Sequence, residues 1–363
     1  MIVLHVLEPF ASGITSAVGA ISGELKDFDH IVIHGSRNWT EDAENVKKRF
    51  PRNVKFIEWK YAGREISLVD DFKALKELIL ILKPFKKTGD RVVHLHSSKA
   101  GFLGRLACRL LNIKEVIYTP HCGAFLRTDI SPSKRKLYRF FEKLGGCFGG
   151  RLVGCGKSEA DIYKKIVKKT AFVSNGVAPK EKREPEETRN LISFTGIASL
   201  QKDPEMWSEI ASSCAKAAGE CGFSFCWIGD GPLADKIDRK CVNLTGWKSA
   251  CEVEKLLEKT AIYISTSAWE GLPYGVLEAM NCGCALLLRN VPGNRELVIP
   301  GENGRLFDTA KEACVYLKAM LKNKETLPGM GKKSGQIIDN GFTVEKMGEG
   351  YRKIYTETLG GKY

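Results

Sequence analysis

Short apolar runs alternate with longer amphipathic stretches along this chain, and few architectures accept that pattern. Residues 2–6, 30–34, 54–59, 92–96, 116–119 and 152–154 read as buried strands. Residues 17–25, 68–82 and 103–111 lie between them with helical spacing. The second half repeats the scheme. Strands are expected at 190–194, 224–228, 242–244, 261–265 and 285–289. Helices are expected at 204–219, 232–239, 251–258, 274–281 and 310–321. Alternation of this kind predicts an α/β chain of parallel sheets wrapped by helices. Residues 178–190 (APKEKREPEETRN) are charged, hold two prolines and offer no apolar face, so they read as a linker. With 363 residues the chain suits two doubly wound, Rossmann-like domains facing across a cleft. Ligands of such sheets sit at the carboxyl ends of the strands.

Residues 265–298 (STSAWEGLPYGVLEAMNCGCALLLRNVPGNRELV) carry the most chemistry. Glu270 belongs to the loop leaving the strand at 261–265. Glu278 lies on the following helix, whose start is set by Pro273. The free N–H groups and the dipole at a helix start favour an anion there. Two carboxylates cannot bind phosphate, because like charges repel, but they suit hydroxyl groups. The ligand with that shape is a phosphate flanked by two polyols, as in a nucleotide sugar.

The segment resembles the glycosyltransferase family 4 pattern of retaining enzymes with the GT-B fold. The matching residues are Glu270-Gly271-Leu272-Pro273-Tyr274, Glu278, the turn 282–285 and Pro292-Gly293-Asn294-Arg295-Glu296. A subset that builds bacterial surface polysaccharides is resembled at His94-Leu95-His96-Ser97-Ser98-Lys99. The resemblance implies that residues 1–178 bind the acceptor and residues 190–341 bind the nucleotide sugar, with 179–189 as linker. Residues 342–363 are read as a helix that crosses back to the first domain or caps the second.

Further site residues follow from the same resemblance. Lys202 matches a lysine that holds the donor diphosphate, while Ile197 stands where the family places an arginine. Gly229 belongs to a tight turn near the nucleotide. The backbone at Trp247 and Lys248 is expected to read the base, with packing as the other reading of Trp247. Gly13 lets the first helix start approach the donor. His121 is expected beside the donor sugar. His96, Ser97 and Lys99 are expected to bind the acceptor. Glu270 and His121 are the expected catalytic residues. No Asp-x-Asp element stands at a strand end and the diphosphate already has a helix start and a lysine, so no metal and no cofactor beyond the donor, a UDP-sugar, is expected.

Charge is uneven. The net +13 arises in the first half, where residues 1–180 carry 32 Lys and Arg against 18 Asp and Glu; residues 181–363 carry 24 against 25. A basic half attracts a polyanion: nucleic acid, anionic lipid or a diphosphate-bearing substrate. Residues 131–143 (SPSKRKLYRFFEK) mix cations with Leu137, Phe140 and Phe141, and Lys164, Lys165, Lys168 and Lys169 add a second cluster. This pattern suits adsorption to an anionic membrane face, or a solvated helix with its apolar stripe turned inward. No apolar run is long enough to span a bilayer. The first residues show no basic leader or cleavage site, and the twelve cysteines lack zinc spacing, so free thiols in the cytoplasm are expected. The expected partners are a nucleotide sugar, a glycan or lipid-linked glycan acceptor and the inner membrane face, not nucleic acid. A GT-B nucleotide-sugar 2-epimerase is the alternative enzyme, and a basic nucleic-acid-binding protein the non-enzymatic one.

Overall fold

The computed structural model describes residues 1–35, 43–63, 67–181 and 189–360. Two compact units emerge, one of Met1–Leu126, Ile130–Gly176 and Val344–Tyr363, the other of Arg127–Asp129 and Val177–Thr343. Most of the expected linker, residues 182–188, falls outside the described residues.

The first unit holds a parallel sheet of β1 (Ile2–Leu7), β2 (Asp29–His34), β3 (Lys55–Glu58), β4 (Arg91–His96), β5 (Val116–Thr119), β6 (Arg151–Gly154) and β7 (Thr170–Phe172), in the order β3-β2-β1-β4-β5-β6-β7. Its central strands are buried on both faces, as a parallel sheet with helices on each side requires. The two faces differ in chemistry. Leu4, Val6, Ile31, Ile33, Val93 and Leu95 form one apolar core with the helices Leu68–Leu82 and Ser98–Leu111. The other face carries His5, His30, His94 and His96, all buried. His5 and His94 are register partners on adjacent strands. The helix Val344–Thr358 packs here, placing the Tyr355 hydroxyl 2.8 Å from His94 Nδ1.

That last helix therefore belongs to the first unit. Its Arg352 makes a two-pronged bond to Asp27, both contacts 2.7 Å, and Glu357 pairs with Arg151. Gly348 lies so near the side chain of Glu24 that a Cβ there would stand 2.7 Å from it. The second unit begins and ends side by side, with the Val177 N–H donating to the Phe342 carbonyl at 2.9 Å.

The second unit holds β8 (Leu191–Thr195), β9 (Ser224–Ile228), β10 (Val242–Leu244), β11 (Thr260–Ser265), β12 (Ala285–Arg289) and β13 (Gly304–Phe307), all parallel, in the order β10-β9-β8-β11-β12-β13. One expected helix, 232–239, is absent; only a 3-10 turn at Ala234–Lys236 forms. The Leu233 N–H donates to the Ala198 carbonyl at 3.0 Å, so the backbone there serves a neighbouring loop. Two short strands, β7 and β13, were not expected. Neither was the helix Leu327–Gly341, whose glycines hide its periodicity. One of them, Gly331, packs against the Gly283 carbonyl, where a Cβ would approach to 1.9 Å. Among the described residues no helix is long and apolar enough to cross a membrane.

Candidate active site

In the second unit the loops after β8, β11 and β12 are stitched together. The Ala268 N–H donates to the Gln201 carbonyl at 2.8 Å, and the Thr266 hydroxyl to the Lys202 carbonyl at 2.7 Å. The Gln201 amide reaches the Trp269 carbonyl at 3.0 Å and the Glu270 carboxylate at 3.4 Å. Asp203 caps the helix Pro204–Glu220 from a left-handed conformation, accepting from the Met206 N–H. The same carboxylate pairs with Arg289, at the end of β12, at 2.8 Å. These bonds fix the backbone on either side of Lys202 and Glu270. The Lys202 ammonium stands 2.5 Å from Oε1 of Glu270, whose side chain is 7% exposed.

Glu278 lies in the second turn of the helix Tyr274–Asn281, and no side chain caps that helix at Pro273. The helix start is pressed against the end of β8. A Cβ on Gly275 would stand 2.5 Å from the Thr195 hydroxyl and 2.9 Å from that of Tyr263, so only glycine allows this approach. Those two hydroxyls lie 2.8 Å apart. Glu278 keeps a partly open face. Burial pushes its carboxyl up to about 7, and the Glu254 carboxylate adds to the rise. Gly271 packs on Gly293, where an added Cβ would come within 2.1 Å of the Gly271 carbonyl oxygen. Leu272 and Pro273 are buried beside it. Asn294 is buried and donates to the Arg289 carbonyl at 2.9 Å.

The remaining donor residues divide. Gly229 has φ +140°, and a Cβ there would lie 2.3 Å from the Gly196 carbonyl oxygen. Its freedom thus serves loop against loop. Trp247 is 64% exposed, which removes the packing reading of its ring. Lys248 pairs with Glu252 at 3.3 Å. Arg289 brings a guanidinium to the Lys202 loop, although Ile197 occupies the position of the family arginine. Asp203 opens its helix as its place before Pro204 suggests, whereas no motif marks Arg289 or Gln201; the place of Arg289 at a strand's carboxyl end is the available signal.

In the first unit Gly13 lies in the first turn of the helix Ser12–Glu24. His121 sits in a loop after β5 with φ +51°, followed by Cys122 at +72°. Such backbone persists where its surroundings hold it. Here the buried Glu159 carboxylate accepts from the Cys122 N–H at 2.6 Å and from the Cys155 N–H at 2.9 Å. His121 Nε2 lies 2.9 Å from His96 Nδ1. One acceptor assignment needs correction. The His96 ring is fully buried and both its nitrogens have side-chain partners, so it cannot touch an acceptor. Lys99 forms an ion pair with Asp71 at 2.6 Å and is 12% exposed, a pairing of the same kind as that of Lys202 with Glu270. Ser97, at φ +73°, has a buried hydroxyl with no partner among the described residues.

Comparison with known proteins decides the class. Residues 189–323, which carry Lys202, Glu270 and Glu278, match the family described as glycosyl transferases group 1. The chain is a GT-B glycosyltransferase. It is 28% identical to the Escherichia coli UDP-Gal:alpha-D-GlcNAc-diphosphoundecaprenol alpha-1,3-galactosyltransferase over 324 residues, 82% of each chain. It is 26% identical to an uncharacterized 41.2 kDa protein in the cps region of Klebsiella pneumoniae, over 85% of this glycosyltransferase and 86% of that protein. In fold it is similar to sucrose-phosphate synthase from Thermosynechococcus elongatus, with a TM-score of 0.79, 14% identity and full coverage of both chains.

Proposed function

We propose that this glycosyltransferase moves a hexose or N-acetylhexosamine from a UDP-sugar to a polyprenyl-diphosphate-linked sugar in surface-polysaccharide assembly, retaining anomeric configuration and using no metal ion. The observation that carries the reading is one arrangement in the second unit. An uncapped helix start is flanked by two acids, with Lys202 on the first of them. The relative in Escherichia coli, named for UDP-Gal and a diphosphoundecaprenol acceptor, supports the donor base and the acceptor class.

In this reading the diphosphate lies at the start of the helix Tyr274–Asn281. Its leaving charge is met by the Lys202 ammonium and the helix N–H groups. A charge-assisted bond of this kind is worth about 1.5–3 kcal/mol. Glu270 accepts from sugar hydroxyls and stabilises positive charge on the ring. Glu278 accepts from the ribose hydroxyls. The acceptor oxygen attacks the anomeric carbon on the face the phosphate leaves, and the departing phosphate oxygen takes the hydroxyl proton. His121 holds the sugar. No cofactor besides the donor enters.

The helix Pro132–Cys147 supports an approach to a membrane face. Leu137 and Phe140 are 47% and 57% exposed and stand among exposed Lys134, Lys136 and Arg139. Basic helices with exposed apolar side chains adsorb to anionic lipid.

The test is a panel of UDP- and GDP-sugars offered with a polyprenyl-diphosphate-linked GlcNAc. The expected product is an α-linked disaccharide lipid from a UDP-sugar in the presence of a chelator. Transfer from GDP-sugars alone, inversion, or donor epimerisation without an acceptor would overturn the reading.

A further inference from the structure

All six histidines of the chain lie at or before position 121, and four of them form one continuous row. The Leu25 carbonyl oxygen stands 3.0 Å from His30 Nε2. His30 Nδ1 is 3.1 Å from His5 Nε2. His5 Nδ1 is 3.1 Å from His96 Nε2, and His96 Nδ1 is 2.9 Å from His121 Nε2. The ring pairs are stacked, with centroids 5.2–5.4 Å apart. His5, His30 and His96 are buried. His121 is half-buried, and its Nδ1 has no partner among the described residues.

Burial holds the rings neutral: His5 and His96 lie well below the usual imidazole range, His30 is lowered, and His121 falls to about 3. Asp27 and Asp29 oppose this effect at His30 without reversing it. A neutral imidazole has one N–H and one lone pair. A carbonyl oxygen only accepts, so His30 must carry its proton on Nε2. Its Nδ1 then accepts from His5 Nε2–H. His5 Nδ1 accepts from His96 Nε2–H, and His96 Nδ1 accepts from His121 Nε2–H. One carbonyl at the inner end settles four tautomers in series. Reversing any ring would leave a buried donor facing a donor or a lone pair facing a lone pair.

We propose that this row fixes His121 as the Nε2–H tautomer, so that its Nδ1 lone pair accepts a hydroxyl of the transferred sugar. His5, His30 and His96 are positioning residues for His121. The sugar contact rests on the proposed function; the tautomer does not. The carbonyl end cannot pass a proton on, so the row sets direction and does not conduct. A metal shared by His5, His94 and His96, which bring one ring nitrogen each within 4.8 Å of the others, is the competing use. It would break the row. All six nitrogens of these three rings already have partners, those of His94 being the Tyr355 and Thr119 hydroxyls.

The test is long-range 1H–15N correlation on the whole protein labelled with 15N-histidine, His121 being assigned by comparison with His121→Ala. The expected spectrum at neutral pH shows His121 with a protonated Nε2 and a bare Nδ1. A protonated Nδ1, an imidazolium at any of the four rings, or stoichiometric zinc in protein purified without chelator would overturn the proposal. His30→Phe removes the anchor and should convert His121 to mixed tautomers. Its kcat should fall about fivefold, the weight of one neutral hydrogen bond, with donor KM nearly unchanged. His30→Gln, which offers an N–H to Leu25 and an oxygen to His5, should restore both spectrum and rate. If His30→Phe does not fold, the wild-type spectrum still decides the tautomer. Unchanged transfer in His121→Ala would sink the sugar contact while leaving the tautomer standing.

Discussion

Lys202 and Glu270, 68 residues apart in sequence, meet with the ammonium 2.5 Å from the carboxylate. The group assigned to the diphosphate thus touches the group assigned to the sugar. Binding of a donor loads both ends of one ion pair, and the two side chains act together.

Coupling is therefore expected between them. Glu270→Ala and Lys202→Ala should each lower kcat/KM by roughly 100-fold or more, the scale of losing a group aimed at developing charge. The double variant should be far less damaged than the product of the two, because contacting residues are not additive. A double-mutant cycle on steady-state transfer measures this; strict multiplicativity would show the two groups act apart.

Glu278 gives a pH dependence with a definite sign. Its folded value near 7 means that the carboxylate, proposed above to bind the ribose, is lost as pH falls below about 7. Donor KM should rise from pH 8 to pH 6 while kcat changes little. Glu278→Gln should abolish that slope.

The same group makes a stability statement. An acid raised from its ordinary 4.5 to about 7 favours the fold below 4.5 and loses that favour as pH climbs towards 7. Above 7 the ionised carboxylate is a burden of about 1–3 kcal/mol. Glu278→Gln should thus raise Tm at pH 8 and change it little at pH 4.5, by calorimetry.

Gly275→Ala should push the helix start away from β8, because the added methyl would stand 2.5 Å from the Thr195 hydroxyl. Overpacking of this kind costs about 1–3 kcal/mol. Donor affinity should fall more than stability, read by titration calorimetry with UDP beside thermal melts.

Tyr355→Phe should remove the hydroxyl bound to His94 Nδ1 and leave a buried polar atom unpaired. The expected loss is about 1–3 kcal/mol in urea unfolding. Phe172→Tyr, at a half-exposed edge position, should serve as a neutral control.

Much of the fold was legible because parallel strands bury both faces. The apolar runs at 116–119, 224–228, 242–244 and 285–289 coincide with strands residue for residue. The helix 274–281 was equally plain, set by Pro273. What was hidden had tertiary causes. The edge strand Gly304–Phe307 has no alternating pattern of its own; it exists because Leu286–Arg289 offers it a partner. Glu270 and Glu278 stand out in the sequence through the motif around them, but the bond between Lys202 and Glu270 does not. His96 was the clearest failure. Read alone it suggested an acceptor contact, yet it is tied on both sides by residues far away in sequence, His5 and His121.

The order of elements also bears on synthesis. The first unit is interrupted by the 167 residues Val177–Thr343 and resumes only at Val344. At 5–20 residues per second the ribosome needs roughly ten seconds or more to make that stretch. During that time the nascent sheet lacks the tyrosine helix that seals its imidazole side. The later-made unit, contiguous apart from three residues, is free to mature first. A chain stopped before Val344 would strand the earlier half with polar rings open to water, an invitation to chaperones.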